Sequence, residues 1–359
     1  MTAPGQLTLS VVIPTYNSAP WLPSTLEALA EAVRRSQTQV EVVIVDDGST
    51  DDSHELVVRI AEGFPASIVL LRQPNSGRFL ARWAGIERAT GQLVLLLDSR
   101  VILAPDSLAH VLSAAVDDPE PAGWNAHVYT DPASPLVGRF WEVPTYLFWG
   151  DYLRDPRPYD LTSTTFDSAP KGTGAFLARR DVIAAAFCQA WPEGDAKLIS
   201  DDTKILRWIA ENGGIRLDPG FAATYRPRTT LGGFIRHSFD RGTLFVDSYA
   251  GTSVPRSFVL LFAAVAPLLG VAVLASLVLI GNGVAALALA AACVLIALAP
   301  VVPAEFNRCP GRGIAAYICY LPVFLGPFWS GLVRGVVVHR NAFFDRSRSV
   351  GSTAGKTNK

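Results

Sequence analysis

The stretch LTLSVVIPTY at residues 7–16 is a short apolar run, rich in β-branched residues, that ends in a polar turn. Such a run predicts a buried β-strand. Further apolar runs alternate with segments of helical periodicity, giving strands at 40–45, 67–71 and 92–97 and helices at 21–35, 51–61 and 78–89. Strands that are almost wholly apolar and alternate with helices indicate an α/β fold with a parallel sheet covered on both faces.

Polar residues follow these strands where each one ends. Pro14-Thr15-Tyr16 follows the first strand, Asp46-Asp47 the second and Asp98 the fourth. In open parallel sheets, ligands bind outside the carboxyl ends of the strands. The sequence therefore predicts a binding site at this edge of the sheet.

Four segments carry these residues in a fixed order: VVIPTYN (11–17), VDDGSTDD (45–52), NSGRFLAR (75–82) and LLLDSR (95–100). Together they resemble the family 2 glycosyltransferases of the GT-A fold, over roughly residues 8–245. The resemblance implies a Rossmann-like nucleotide-sugar-binding domain with a mostly parallel sheet. It also implies an inverting transfer of a sugar from a nucleotide sugar, most simply a UDP-sugar.

The resemblance places the nucleoside at the first two strand ends. Asp47 can accept a hydrogen bond from a uracil-type imide and Tyr16 can pack on the base, while Pro14 and Thr15 shape the turn and Asp46 lies nearby. The alternative for the two aspartates is a turn or helix cap, which Asp-Gly-Ser sequences favour.

Arginines on the third helix can reach the donor diphosphate. Arg78 and Arg82 lie one turn apart near its start. The alternative is that both belong to a solvated helix face.

The fourth segment departs from the family pattern. Family members usually carry Asp-x-Asp, whose second aspartate binds a divalent metal, whereas this chain has Asp98-Ser99-Arg100. Arginine is permanently cationic and cannot bind Mg²⁺ or Mn²⁺. Three explanations remain open: Arg100 neutralises the diphosphate itself, the site is degenerate, or Asp98 holds a metal together with phosphate oxygens and water.

A further acidic pair precedes a clear amphipathic helix at 202–212. In the family a Glu-Asp pair lies here and its aspartate deprotonates the acceptor hydroxyl, so the resemblance makes Asp202 the catalytic base and Asp201 the preceding acid. A single displacement at the anomeric carbon needs such a carboxylate. The alternative is that both residues cap the helix, and the two roles are compatible.

Two other segments carry candidate contacts. The loop KGTGAF (171–176) resembles the one that borders donor sugar and acceptor, through Gly172, Thr173 and Gly174. The segment RHSFDRG (236–242) resembles a loosened QxxRW-like element. Its candidate diphosphate contacts are Arg236, His237 and Arg241, and the alternative is that they meet lipid headgroups.

Hydrophobic segments dominate the last third of the chain. Residues 258–304 contain no charged side chain, and about 20 apolar residues suffice to cross a bilayer. We therefore expect a helical hairpin from 258–280 and 284–302. A third apolar run at 314–333 contains two prolines and is expected either to span or to be re-entrant.

Charge indicates the orientation of these segments. Eight arginines and lysines follow Ala304, against two acidic residues, and basic residues accumulate on the cytoplasmic side of membranes. With no signal peptide apparent at the N-terminus, we expect a multi-pass plasma-membrane protein whose catalytic domain faces the cytoplasm. The expected parts are a GT-A domain at 1–250, a membrane domain at 251–340 and a basic tail at 341–359.

The expected partners are a nucleotide sugar, membrane lipids and a polyprenyl- or other lipid-linked acceptor of the cell envelope. A net charge of −1 gives no indication of nucleic-acid binding. A rival interpretation, motivated by Arg100, is a non-catalytic nucleotide-sugar sensor or scaffold. A transporter is less well supported, because the apolar runs lack inward-facing charges.

Overall fold

The computed structural model describes residues 7–344. Residues 1–6 and 345–359 lie outside the described residues, and with them most of the basic tail expected at 341–359.

The first half of the chain forms the predicted alternation of strands and helices. Its elements are β1 (Thr8–Thr15), α1 (Leu22–Ser36), β2 (Gln39–Asp46), α2 (Ser53–Ala61), β3 (Ser67–Arg72), α3 (Arg78–Arg88) and β4 (Leu93–Leu97). The four strands are parallel in the order β3-β2-β1-β4. Thr15 pairs with Asp46, so the polar strand ends do meet at one edge.

The second half completes a mixed sheet. It comprises β5 (Val101–Leu103), α4 (Ser107–Asp117), β6 (Gly123–Thr130), α5 (Glu142–Arg154), β7 (Tyr159–Leu161), β8 (Ala175–Arg179), α6 (Arg180–Gln189), α7 (Thr203–Gly213) and β9 (Ile215–Tyr225). Over residues 7–344 the sheet has nine strands, and β8 lies antiparallel beside β4. The parallel pattern therefore holds for the first four strands, while the remaining pairs are antiparallel except for the parallel pair of β6 and β9.

Residues on opposite sheet faces build two separate cores. Val11 and Val42 pack under α1 and α4, whereas their neighbours Val12 and Val43 pack under α3, α6 and α7. This division follows from the period of two along a strand. Residues 124–170 contain most of β6 together with α5 and β7, and Phe140 is buried beside the start of α5.

Helices follow the sheet domain to the end of the described chain: α8 (Leu231–Tyr249), α9 (Val254–Leu279), α10 (Gly283–Leu298), α11 (Val301–Phe306) and α12 (Gly311–Val338). Among the described residues, three helical segments are long and apolar enough to cross a membrane, namely 254–279, 283–306 and 311–338. The third is less hydrophobic, with a mean hydropathy of 1.5 against 2.7 and 2.6.

Helix α12 packs against α8 through small residues. Gly331 and Gly335 of α12 lie directly against the backbone of α8, where a side chain would clash with carbonyl oxygens. Thr243 donates a hydrogen bond to the carbonyl of Gly331 (3.0 Å). A glycine pair spaced by four allows this close approach of two helices.

Helix α12 contacts the α/β domain at its start and α8 at its end. At its start, Arg312 donates to the carbonyls of Pro132 and Ser134 (3.1 Å each). Just past its end, His339 Nδ1 lies 3.6 Å from a carboxylate oxygen of Asp247 on α8. Helix α12 therefore runs along the surface of the domain.

Candidate functional site

Arg82 is the centre of the site. Its side chain is 1% exposed, Nη2 lies 2.6 Å from Asp98 Oδ1, and Nη1 pairs with Asp201 Oδ2. Nη2 also donates to the Thr173 carbonyl (3.3 Å). One buried guanidinium on α3 thus joins three segments: the end of β4, the loop 171–176 (the glycine loop) and the acidic pair before α7. Both Nη groups of Arg82 contact these carboxylates, whereas its Nε has no hydrogen-bond partner among the described residues. The expected contact of Arg82 with the diphosphate stays a prediction.

Asp201 is held by two arginines. Besides Arg82, Arg78 Nη2 lies 3.3 Å from Asp201 Oδ1. Burial alone would raise the pKa of Asp201, but the guanidiniums of Arg78 and Arg82 outweigh it and hold that pKa below its usual range. Asp201 is therefore an ionised, paired residue that fixes the two arginines. Arg78 itself stays 56% exposed and can still meet a ligand.

Asp202 has one engaged and one open oxygen. As N-cap of α7, its Oδ1 accepts from the Thr203 backbone and hydroxyl and from the Ser200 hydroxyl (2.8 Å). Within residues 7–344, no donor contacts Oδ2. The capping role and the base role are thus assigned to different oxygens of one carboxylate.

Asp247 supports the loop that carries Asp202, and it was not predicted from the sequence. This buried α8 carboxylate accepts from the Ser200 backbone amide (2.9 Å) and pairs with Lys204 on α7. The sequence pattern gives no signal for it, because position 247 reads as one polar residue on an amphipathic helix.

The glycine loop lies at the site as expected. Gly174 accepts a backbone hydrogen bond from Asp98 (2.9 Å), and Thr173 Oγ1 donates to the Asp201 carbonyl (3.2 Å). Gly172 is anchored by donating to Asn125 Oδ1 (3.0 Å). Strand β8 lies antiparallel beside β4, so the loop that precedes β8 meets Asp98 at the end of β4.

The residues expected to bind the nucleoside lie at the ends of β1 and β2. Asp47 is buried and accepts from Gln73 Nε2 (2.7 Å) and from the amides of Ser76 (2.8 Å) and Gly77 (2.9 Å). Asp46 accepts from the Ser49 amide (2.8 Å). Each aspartate thus makes the kind of hydrogen bonds expected if its role is to stabilise a turn or cap a helix, which is the alternative to binding the nucleoside. Asp47 Oδ2 makes one of these bonds and retains acceptor capacity.

Tyr16 remains half exposed, in the turn that directly follows Pro14 and Thr15. Its ring is therefore available to a ligand, whereas Thr15 is buried and donates to the Val45 carbonyl (3.2 Å).

Arg100 lies against an aromatic ring. Its Cζ is 4.2 Å from the ring centre of Trp21, and its buried Nη1 has no hydrogen-bond partner among the described residues. Burial, and then the charge of nearby Arg228, lowers the pKa of Arg100 to about 10. The guanidinium therefore keeps its charge at neutral pH.

The residues present do not fit a divalent metal site. One oxygen of Asp98 is committed to Arg82, and the position that would supply a second carboxylate is Arg100. No group of three or more His, Cys, Asp or Glu side chains that could hold a metal occurs in the described part of the chain. Mg²⁺ and Mn²⁺ require about six oxygen ligands.

The basic residues of α8 differ in their surroundings. Arg241 Nε donates to His237 Nε2 (3.3 Å) and its Cζ lies 5.0 Å from the Trp141 ring centre. Burial, with Arg241 and Arg228 nearby, lowers the pKa of His237 well below its usual value. Arg236 is exposed. His237 and Arg241 thus pack at the junction with α5, within electrostatic reach of Arg78 and Arg100.

Residues 10–182 match the sequence profile described as glycosyl transferase family 2. The chain is 36% identical over 110 residues to an uncharacterized glycosyltransferase, YibD, of Escherichia coli K12, covering 31% of each chain. It is 33% identical over 151 residues to an undecaprenyl-phosphate 4-deoxy-4-formamido-L-arabinose transferase of Aeromonas hydrophila, covering 40% of this chain and 46% of the relative. The chain thus matches only a third to a half of the length of these curated relatives.

Among solved structures, the mannosyltransferase PcManGT of Pyrobaculum calidifontis, in complex with GDP-Man and Mn²⁺, superposes with a TM-score of 0.51. It is 20% identical and the match covers 93% of this chain and 88% of that one. This similarity concerns the fold, and it confirms the prediction of a GT-A-like α/β domain with apolar C-terminal helices.

Proposed function

We propose that this chain, whose residues 10–182 match the glycosyl transferase family 2 profile, moves a sugar from a UDP-sugar to a lipid-linked acceptor with inversion of the anomeric centre. The observation that carries this proposal is the convergence on Arg82. The ends of β4, the glycine loop and the acidic pair meet around one guanidinium. These are the segments that must face one donor sugar in a displacement reaction.

Asp202 is the proposed base. Its Oδ2 accepts the proton of the acceptor hydroxyl as that oxygen attacks the anomeric carbon, and the nucleotide diphosphate leaves from the opposite face. Arg78 and Arg100 are the groups available to stabilise the negative charge that develops on the leaving group. The capping bonds to Oδ1 hold the carboxylate in place during this step.

The membrane helices support a lipid-linked acceptor. Helix α8 contributes Asp247 to the Asp202 loop and continues within a few residues into apolar α9. An acceptor held in the bilayer would therefore lie close to the base, at a raised effective concentration. Relatives named as undecaprenyl-phosphate sugar transferases agree with this class of acceptor.

The test is transfer by the full chain in lipid nanodiscs. UDP-sugars are offered with an undecaprenyl-linked glycan that bears free hydroxyl groups or with soluble sugars, and the anomeric configuration of the product is read by NMR. We expect transfer to the lipid with inversion. Transfer to soluble sugars alone would contradict the acceptor assignment, and retention of configuration would contradict the mechanism.

We also propose a topology in which α9 and the segment 283–306 cross the membrane while α12 lies in its plane. The start of α12 contacts the α/β domain, and its end contacts Asp247 of α8, which accepts a hydrogen bond from Ser200 of that domain. A helix that crosses the bilayer cannot return to the side on which it began. Its two internal prolines, lower hydropathy and contact with α8 agree with this placement. The C-terminus would then lie in the cytoplasm beside the catalytic domain.

Cysteine labelling checks this topology. In a variant lacking the four native cysteines, Asn282→Cys in the α9–α10 turn should react with an impermeant maleimide in intact cells. A cysteine appended after Lys359 should react only in inverted vesicles. Labelling of the appended cysteine from outside would show that α12 spans.

A further inference from the structure

We infer that Arg100 belongs to a cluster of arginines that binds the donor diphosphate without a divalent ion. This inference rests on the proposed function and concerns how the same site holds its donor. Its starting point is the mismatch between the residues at the end of β4 and the ligands of a metal. Asp98 supplies the site with one committed and one open oxygen, and Arg100 occupies the position of the second carboxylate.

Asp98 is already neutralised by the protein. Its partner Arg82 is buried and is fixed at its other end by Asp201, so it cannot withdraw to make room for a cation. A metal placed at Asp98 would lie beside the positive charge of Arg82 and near that of Arg100. The electrostatic environment at the end of β4 therefore favours an anion over a cation.

Arg100 is positioned by its surroundings. Trp21 covers its guanidinium at 4.2 Å, and the carbonyl of Arg100 accepts from the Arg226 amide (3.0 Å). Arg226 in turn is fixed by donating to the Trp21 carbonyl (2.7 Å) and to Thr25 Oγ1 (2.6 Å). An arginine stacked in this way is pre-organised to offer its remaining N–H groups to phosphate oxygens.

One nitrogen of the Arg100 guanidinium lacks a hydrogen-bond acceptor. Its Nη1 is buried without a partner among the described residues, and a buried charged donor without a partner costs free energy. Arg228 adds a second positive charge nearby and helps to lower the pKa of Arg100. A bound anion would supply the missing acceptor and relieve the repulsion between the two guanidiniums.

Arg78 completes the cluster from the opposite side. It lies on α3, 3.3 Å from Asp201, and remains more than half exposed. Burial is the first cause of the low pKa of His237, and Arg241, Arg228, Arg78 and Arg100 add to it, so these four arginines lie within electrostatic reach of one side chain. They come from three separate parts of the chain, and a diphosphate is the donor group whose charge and oxygens they match.

The inference is tested by binding of UDP and UMP to the full chain in detergent, measured by calorimetry with EDTA or with Mn²⁺. The wild type should bind UDP with EDTA present, and Mn²⁺ should change its affinity less than about threefold. Arg100→Ala should weaken UDP binding about 10- to 100-fold, as expected for lost charged hydrogen bonds, and should weaken UMP binding much less. Mn²⁺ should not restore it.

Two further variants complete the design. Arg100→Asp recreates the Asp-x-Asp pattern and should bind UDP only when Mn²⁺ is added. Arg34→Ala removes an exposed arginine at the far end of α1 and should bind like the wild type. Thermal unfolding of each variant, measured alongside, shows whether a loss of binding reflects a loss of fold.

The outcomes separate this inference from the proposed function. Wild-type binding of UDP that is abolished by EDTA and restored by Mn²⁺ would overturn the arginine cluster but leave the transferase proposal standing. Absence of UDP binding under every condition would overturn both. Binding in EDTA without any sugar transfer would keep the cluster and refute the proposed reaction.

Discussion

Replacing Asp202 by asparagine should lower the rate of sugar transfer by about 100- to 10,000-fold, the usual contribution of a general base. Asparagine is isosteric and caps helices about as well as aspartate, so the Oδ1 contacts that begin α7 should persist. It cannot accept a proton from the acceptor hydroxyl. Turnover is measured with radiolabelled donor in nanodiscs, and donor affinity by calorimetry on the same preparation.

Donor affinity should stay within about threefold of the wild type, since the change removes one charge at the edge of the site. Asp195→Asn is the matched control, because Asp195 caps the short 3₁₀ helix Ala196–Leu198 in the same loop, and its rate should be unchanged. A sensor or scaffold would show no turnover to lose in either protein. An Asp202→Asn enzyme with near wild-type turnover would remove Asp202 from the mechanism.

Replacing Arg82 by methionine should destabilise the α/β domain by about 3–5 kcal/mol, because it leaves the carboxylates of Asp98 and Asp201 without their buried partner. In a domain of this size that loss lowers the Tm by roughly 6–20 °C. Arg78→Met is the matched control one turn away on α3. Its side chain is mostly exposed and its single ion pair should contribute at most about 1 kcal/mol.

The measurement is thermal unfolding of both variants in the same detergent. Adding Asp201→Asn to the Arg82→Met protein should recover part of the loss, because one of the two carboxylates that lose Arg82 is then neutral. Equal Tm values for the two single variants would show that Arg82 is not the structural centre of the site.

The first half of the fold was predictable because its strands and helices are indicated by residues that are close together in the sequence. Strands β1 to β4 are continuous apolar runs closed by polar turns, and they pair in parallel, as expected of strands that alternate with helices. The mixed second half depends on β8 pairing with β4 from far along the chain. Helix α5 was missed because Pro144, Gly150 and a run of aromatic residues obscure its periodicity.

The candidate site shows the same division. The order of the motifs predicted that Asp98 and the pair Asp201-Asp202 belong to one site, and in the structure Asp98 and Asp201 both pair with Arg82. Spacing along the chain does not reveal which partners a buried arginine has, so these two ion pairs could not be predicted. Asp247 had no motif at all, because its role depends on α8 lying beneath the Asp202 loop.

The contact between Gly331 and the backbone of Phe239 has a consequence for biosynthesis. The ribosome completes α8 and the Asp202 loop well before it makes α12, and the apolar hairpin of α9 and α10 must be accommodated in between. During that interval the face of α8 that α12 later covers is bare, and Asp247 lacks its contact with His339. Domains tend to fold in the order of synthesis, but here the support of the Asp202 loop is completed last. We therefore expect the Asp202 loop to gain its last supporting contact only after the apolar hairpin has been accommodated.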